Sequence, residues 1–155
     1  VRQPFNLGEF LEQGVATLGA SADDDLVPEA FRAYAASWDG DGRRLRALIN
    51  ADAGRTLATV KPGTWLCFTF VDMTLRSVQV KGPAVSGPEP PGPADAERIR
   101  RYIEKLVTVG ATRGVSRALM EAHRPFAVFA MTIAVEEMYD QTPGPTAGTR
   151  LDGHQ

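Results

Sequence analysis

The stretch TWLCFTFVD (Thr64 to Asp72) places Trp65 and Cys67 on one alternating set and Leu66, Phe68 and Phe70 on the other. Successive side chains of a strand leave on opposite faces, so a strand apolar in both sets needs cover on both sides. Such a strand belongs in a barrel wall or at a subunit interface, and the rest of the chain has to accommodate it.

The neighbouring segments supply partners. VATLGAS is strand-like and ends in the acidic turn DDD; PEAFRAYAASW runs from Pro28 to the turn DGDG. RRLRALIN alternates, with Arg44, Arg46, Leu48 and Asn50 on one face and Leu45, Ala47 and Ile49 on the other. LRSVQVKG is half-buried by pattern, with Val78 and Val80 opposite Ser77, Gln79 and Lys81. FAVFAMTIAVEE is the last strand, on which Glu136 and Glu137 cannot point the same way. Helices are fewer. NLGEFLEQG has Asn6 as N-cap, Glu9 three residues on and Gly14 as a stop. DAGRTLATV reads as a short helix capped by Asp52, closed by the turn KPG. After the breaker GPAVSGPEPPGP, ADAERIRRYIEKLVTVG has Ile99, Tyr102, Ile103 and Leu106 on one face, and SRALMEAHR ends before Pro125. The expected architecture is mainly β: one domain over 1–155, a small barrel of about six mostly antiparallel strands. An N-terminal helix (1–14), a helical insertion (95–124) and a C-terminal strap and tail (140–155) decorate it.

Composition narrows the function. A chain of 155 residues, 43% hydrophobic and 23% charged, has enough apolar material for one core. Its net charge of −2 argues against nucleic acid as the main partner, although GRRLR is a local basic knot. A single cysteine makes no internal disulfide, and no long apolar run or signal peptide is visible; the expected location is cytoplasmic, with no membrane partner. Catalytic side chains are scarce. His123 falls in the last turn of a helix, where histidine commonly meets free carbonyls, and His154 is in the tail. Without a Cys/His cluster no metal site is expected, and Cys67 reads as a small core residue. Arg55 stands out, because a cation in a first helical turn opposes the dipole unless an anion also binds there. Gly54 and Thr56 suit such a site; the alternatives are a pair with Asp52 or a side chain lying on the surface.

The ordered set from VATLGAS through PEAFRAYAASWDGDGRRLRALINADAGRT to LRSVQVKG, within residues 15 to 87, resembles the flavin-binding split-barrel family of pyridoxamine 5'-phosphate oxidase. The features are a Pro-initiated strand, a DGDG turn, a short helix with a basic first turn, and a strand reading R-x-V-x-V-x-G. The resemblance implies a homodimer with flavin mononucleotide (FMN) in two clefts between subunits. It places the flavin along Phe31, Arg32, Ala33 and Tyr34 and at the strand end Leu48, Ile49 and Asn50. The phosphate is placed at Arg55 and Thr56, and Ser77 approaches from the partner. The chain departs from the oxidase at Gly54, where one of two paired basic residues stands, and at Ser77, where a glutamine stands. The oxidase's C-terminal tryptophan and arginine have no counterpart, so vitamin B6 oxidation is not expected. The resulting expectation is an FMN-binding, oxidoreductase-like protein acting on a small molecule. The alternatives are a non-enzymatic flavin or haem binder and a cofactor-free dimeric split barrel.

DQTPGPTAG (Asp140 to Gly148) completes the picture. Pro143 and Pro145 fix two φ angles and remove two amide donors, so the expected form is a stiff extended strap over the barrel near the dimer cleft.

Overall fold

The computed structural model describes residues 5–151. The chain runs α1 (Leu7–Leu11), β1 (Ala16–Ala22), β2 (Pro28–Asp39), β3 (Arg44–Asn50), α2 (Gly54–Thr59), β4 (Trp65–Val71) and β5 (Ser77–Pro83). It continues through α3 (Pro93–Ala111), α4 (Arg117–Glu121), β6 (Val128–Ala134) and β7 (Glu137–Asp140). The strands form one antiparallel sheet in the order β6-β3-β2-β1-β4-β5-β7. Seven strands replace the expected six because the last one breaks in two after Ala134.

That break closes the barrel. The first part of β5 pairs with β7, Val78 to Lys81 facing Asp140 to Glu137. Beyond it the chain transfers to β6: Ala84 bridges Ile133, and the Val85 amide donates to the Thr132 carbonyl at 2.8 Å. Gly82 sits at the crossing, where any Cβ would collide with the Ala134 carbonyl. A side chain there would force the two strands apart.

The β1–β2 and β4–β5 hairpins use the same five-residue turn. Asp23 Oδ1 accepts from the amides of Asp25 and Val27 at 3.0 and 2.9 Å. Asp72 Oδ1 accepts from Thr74 and Arg76 at 2.7 and 3.0 Å. The fourth residue is a leucine with positive φ in both, Leu26 at 61° and Leu75 at 67°. The aspartate supplies the acceptors that pin the turn.

The core lies inside the curl. Leu45, Ala47 and Ile49 of β3 join Leu66, Phe68 and Phe70 of β4 and Val78 and Val80 of β5, all essentially buried. The opposite, outer face divides in two. Over β2, β3 and β6, a bulge with Ala35 at φ 46° receives α3, and Tyr34, Leu48 and Ala130 pack against Tyr102, Ile103 and Val107. An ion cluster locks the start of α3 onto that face. Arg46 donates to both carboxylate oxygens of Asp95 (3.0 and 2.8 Å) and to Glu89 (3.1 Å), and Arg98 donates to Asp95 at 2.8 Å. Over β1 and β4 the outer face is bare: Leu18 is 52% and Trp65 47% exposed. The run that is apolar on both faces is thus covered on one face only within a single chain.

Two local expectations change. The N-cap of α2 is Ala53, not Asp52, and it makes no side-chain cap. DQTPGPTAG is not an extended strap. The Gln141 amide donates to the Ser77 carbonyl at 2.8 Å, carrying the sheet one bond past Asp140, and the chain then folds back. The Asp140 carboxylate accepts from the Thr142 amide (2.8 Å) and the Thr146 hydroxyl (3.0 Å), and its carbonyl accepts from Gly148 (2.7 Å). Arg150 then bridges Tyr139, so the segment is a closed loop anchored on one aspartate.

Candidate functional site

The alternation of β2 separates the residues placed on it. Phe31 and Ala33 point inward; the Phe31 ring meets Phe68 edge-on with centroids 6.1 Å apart. Ile49 of β3 likewise belongs to the core. A ligand on the outer face meets these three only through backbone. Arg32, Tyr34 and Leu48 point outward. Tyr34 and Leu48 are buried beneath α3, with the Tyr34 ring edge-on to Tyr102. Burial raises the pKa of both phenols, that of Tyr102 to about 12, so both remain neutral at physiological pH. The Tyr102 hydroxyl donates to the Val15 carbonyl at 2.9 Å. Asn50 ends β3 half-buried, its amide oxygen accepting from the Ala51 N–H at 3.1 Å.

Arg32 differs from its neighbours. It stands beside Leu18 on the bare half of the sheet, its guanidinium 6.0 Å from the Tyr34 ring. Its Nε is buried and, among the described residues, has no hydrogen-bond partner. A buried donor left without an acceptor costs on the order of 1–3 kcal/mol, which makes this the edge of the bare face where an acceptor is missing.

The start of α2 is already supplied with an anion from within the chain. The Glu29 carboxylate, from β2, accepts from the amides of Thr56 (2.5 Å) and Arg55 (3.3 Å). Burial alone would raise the pKa of Glu29, but these bonds outweigh it and hold the group below the usual carboxylate range. The Arg55 guanidinium pairs with Asp23 at 2.6 Å, and the buried Thr56 hydroxyl shares a 2.8 Å hydrogen bond with Ser21. The position assigned to a flavin phosphate therefore holds a carboxylate, and a phosphate would have to displace it. Glu29, Asp23 and Ser21 were not singled out by sequence; the one local signal was the acid following Pro28.

Ser77 lies away from this group, with β1 and β4 between it and β2. It is buried, and its amide donates to the Thr142 hydroxyl at 3.1 Å, so the C-terminal loop is tied to it. His123 Nδ1 lies 2.7 Å from the Leu119 carbonyl, the helix-end contact anticipated for it; His154 falls outside the described residues. The Cys67 thiol is pushed up by burial. Among the described residues no three of His, Cys, Asp and Glu gather as a metal site, and no helix is long and apolar enough to cross a membrane.

No family model matches the chain, and no curated protein matches it. Solved structures do. HupZ of Group A Streptococcus superposes with a TM-score of 0.52 at 18% identity, over 94% of this chain and 100% of that one. An F420 reductase superposes with a TM-score of 0.51 at 14% identity, over 88% of this chain and 98% of that one. At these identities the likeness is one of fold alone: the chain is a mainly β split barrel, one curled antiparallel sheet decorated by helices.

Proposed function

We propose that this protein is a two-fold dimer of split barrels that holds FMN beside the bare outer face of β1, β2 and β4 and serves in redox chemistry. The observation that carries the reading is the conjunction of that face with Arg32. Leu18 and Trp65 lack cover, and the buried Nε of Arg32 at the edge has no hydrogen-bond partner among the described residues. The fold shared with a protein named F420 reductase supports a redox role. Arg32 and Asn50 are the side chains best placed to hold the cofactor, and Arg32 takes its anionic end. When bound, the isoalloxazine supplies the electron chemistry, which accounts for the scarcity of catalytic side chains in the chain itself.

One observation favours a second reading, the cofactor-free dimer: Glu29 and Asp23 already satisfy the groups at the start of α2. Titrating FMN into the protein and following its fluorescence separates the two. The first reading predicts saturable quenching at micromolar protein, weakened about tenfold or more by Arg32→Ala and less than about twofold by Arg55→Ala. Absence of quenching at 100-fold higher protein, with a dimer still present, would establish the cofactor-free module instead.

A further inference from the structure

The corner between β1, the β1–β2 turn, β2 and α2 gathers groups of the kind that recognise an oxyanion: two backbone amides, a guanidinium and a hydroxyl, all from Arg55 and Thr56. α2 is only six residues long, so the corner owes little to a helix dipole and is made by side chains from several elements. Each of its donors is engaged from within the chain. The Glu29 carboxylate takes both amides, Oε2 accepting from Thr56 and Oε1 from Arg55. Asp23 takes the guanidinium, and Ser21 shares a hydrogen bond with the buried Thr56 hydroxyl.

The corner is not walled off. A Cβ on Gly54, beside Arg55, would meet no atom within 4 Å, and the Arg55 side chain is 49% exposed. Space would admit a ligand, but charge opposes an anionic one. One cation against two carboxylates leaves a net charge near −1. Asp23 is held below the usual carboxylate range by the Val27 amide and Arg55. Glu29, where burial works the other way, is held below it by its bonds from Thr56 and Arg55. Both therefore stay charged at neutral pH.

A carboxylate against free amides at a helix start is ordinarily a cap and nothing more. Here a second carboxylate, Asp23, also takes the one cation, so the amides and the guanidinium are both committed to internal anions. A phosphate group carrying ≈ −1.5 to −2 at neutral pH would meet like charge and would have to displace a carboxylate that is already hydrogen-bonded. The two roles of Glu29 differ in what its removal does. Loss of a cap only destabilises, whereas loss of an excluding anion also opens the corner to an external one.

We infer that Glu29 is a selectivity residue, an internal anion that closes this corner to phosphate-bearing ligands whether or not flavin binds elsewhere on the chain. A flavin held as proposed above then has its anionic end turned away from α2, toward Arg32. The test is thermal unfolding of the protein as purified in about 10 mM inorganic phosphate, against sodium chloride of matched ionic strength. Glu29→Ala frees the two amides and brings the corner to neutrality, so phosphate should raise its melting temperature by about 2–4 °C beyond the salt control. The wild type should shift by less than about 1 °C, and Glu29→Ala/Arg55→Ala should fall back to that level. Glu29→Gln, which keeps a neutral acceptor against the amides and so guards the fold, should respond in the same direction as Glu29→Ala. An equal shift in the wild type and the Glu29 variants, no shift in either folded variant, or a shift in Glu29→Ala that survives the loss of Arg55 would each overturn the inference. No flavin takes part in the measurement, so failure of the flavin reading would leave these outcomes unchanged.

Discussion

The outer face of the sheet is two surfaces with different solutions to one problem. Over β2, β3 and β6, Leu48 and Ala130 are fully buried, because α3 lies across them and Arg46 clamps its start through Asp95. Over β1 and β4, Leu18 and Trp65 remain about half exposed, and no element of the described chain crosses them. Strands of similar apolar content therefore end in opposite environments. Burying apolar surface stabilises by roughly 25 cal/mol per Å², so the bare half retains a driving force that the covered half has already used. A second copy of the chain is the cover we propose for it.

The comparison can be broken from the covered side first. Leu48→Ala should lower unfolding stability by about 2–5 kcal/mol in urea denaturation, since it opens a cavity beneath α3. A loss below about 1 kcal/mol would mean that α3 does not pack there. Next in size is the clamp. Arg46→Ala removes charge-assisted bonds to Asp95 and should cost about 1.5–3 kcal/mol. Asp95 also gives the clamp a pH dependence: hydrogen bonding from Arg46, above all, depresses its pKa from 3.8 to about 2. A depressed carboxylate stabilises the fold above its unfolded pKa and loses that contribution as pH falls through the folded value. Acid unfolding of the wild type should therefore steepen between about pH 4 and pH 2, and Asp95→Asn should remove that component. On the bare side, Leu18→Ala should change the stability of the isolated subunit by less than about 0.5 kcal/mol, the expectation for a half-exposed side chain. Arg55→Ala should have a comparably small effect. Its pair with Asp23 is exposed on the arginine side, and such pairs contribute about 0–1 kcal/mol.

What could be read from sequence follows the range of the interaction. The two faces of β3 were legible because side-chain alternation is local, and Leu45, Ala47 and Ile49 do enter the core while Leu48 meets α3. The start of α1 was legible because Asn6 caps Glu9 three residues away, at 3.2 Å. The start of α2 was not, because its amides are satisfied by Glu29, some 26 residues earlier, and no local pattern announces such a partner. The C-terminal segment was misread for a related reason. Its prolines argued for extension, but the carboxylate of Asp140 folds it back within a few residues. The Arg46–Asp95 clamp joins the basic knot to a helix about fifty positions on; only the knot itself was visible.

The account turns on whether the bare half of the outer face is an interface, and the mass of the protein in solution tests this most directly. Light scattering at micromolar concentration should give twice the 16.7 kDa chain mass for the wild type. It should give a single chain mass for Leu18→Asp, with the fold retained by circular dichroism. A wild-type protein that scatters as one 16.7 kDa chain would contradict the account.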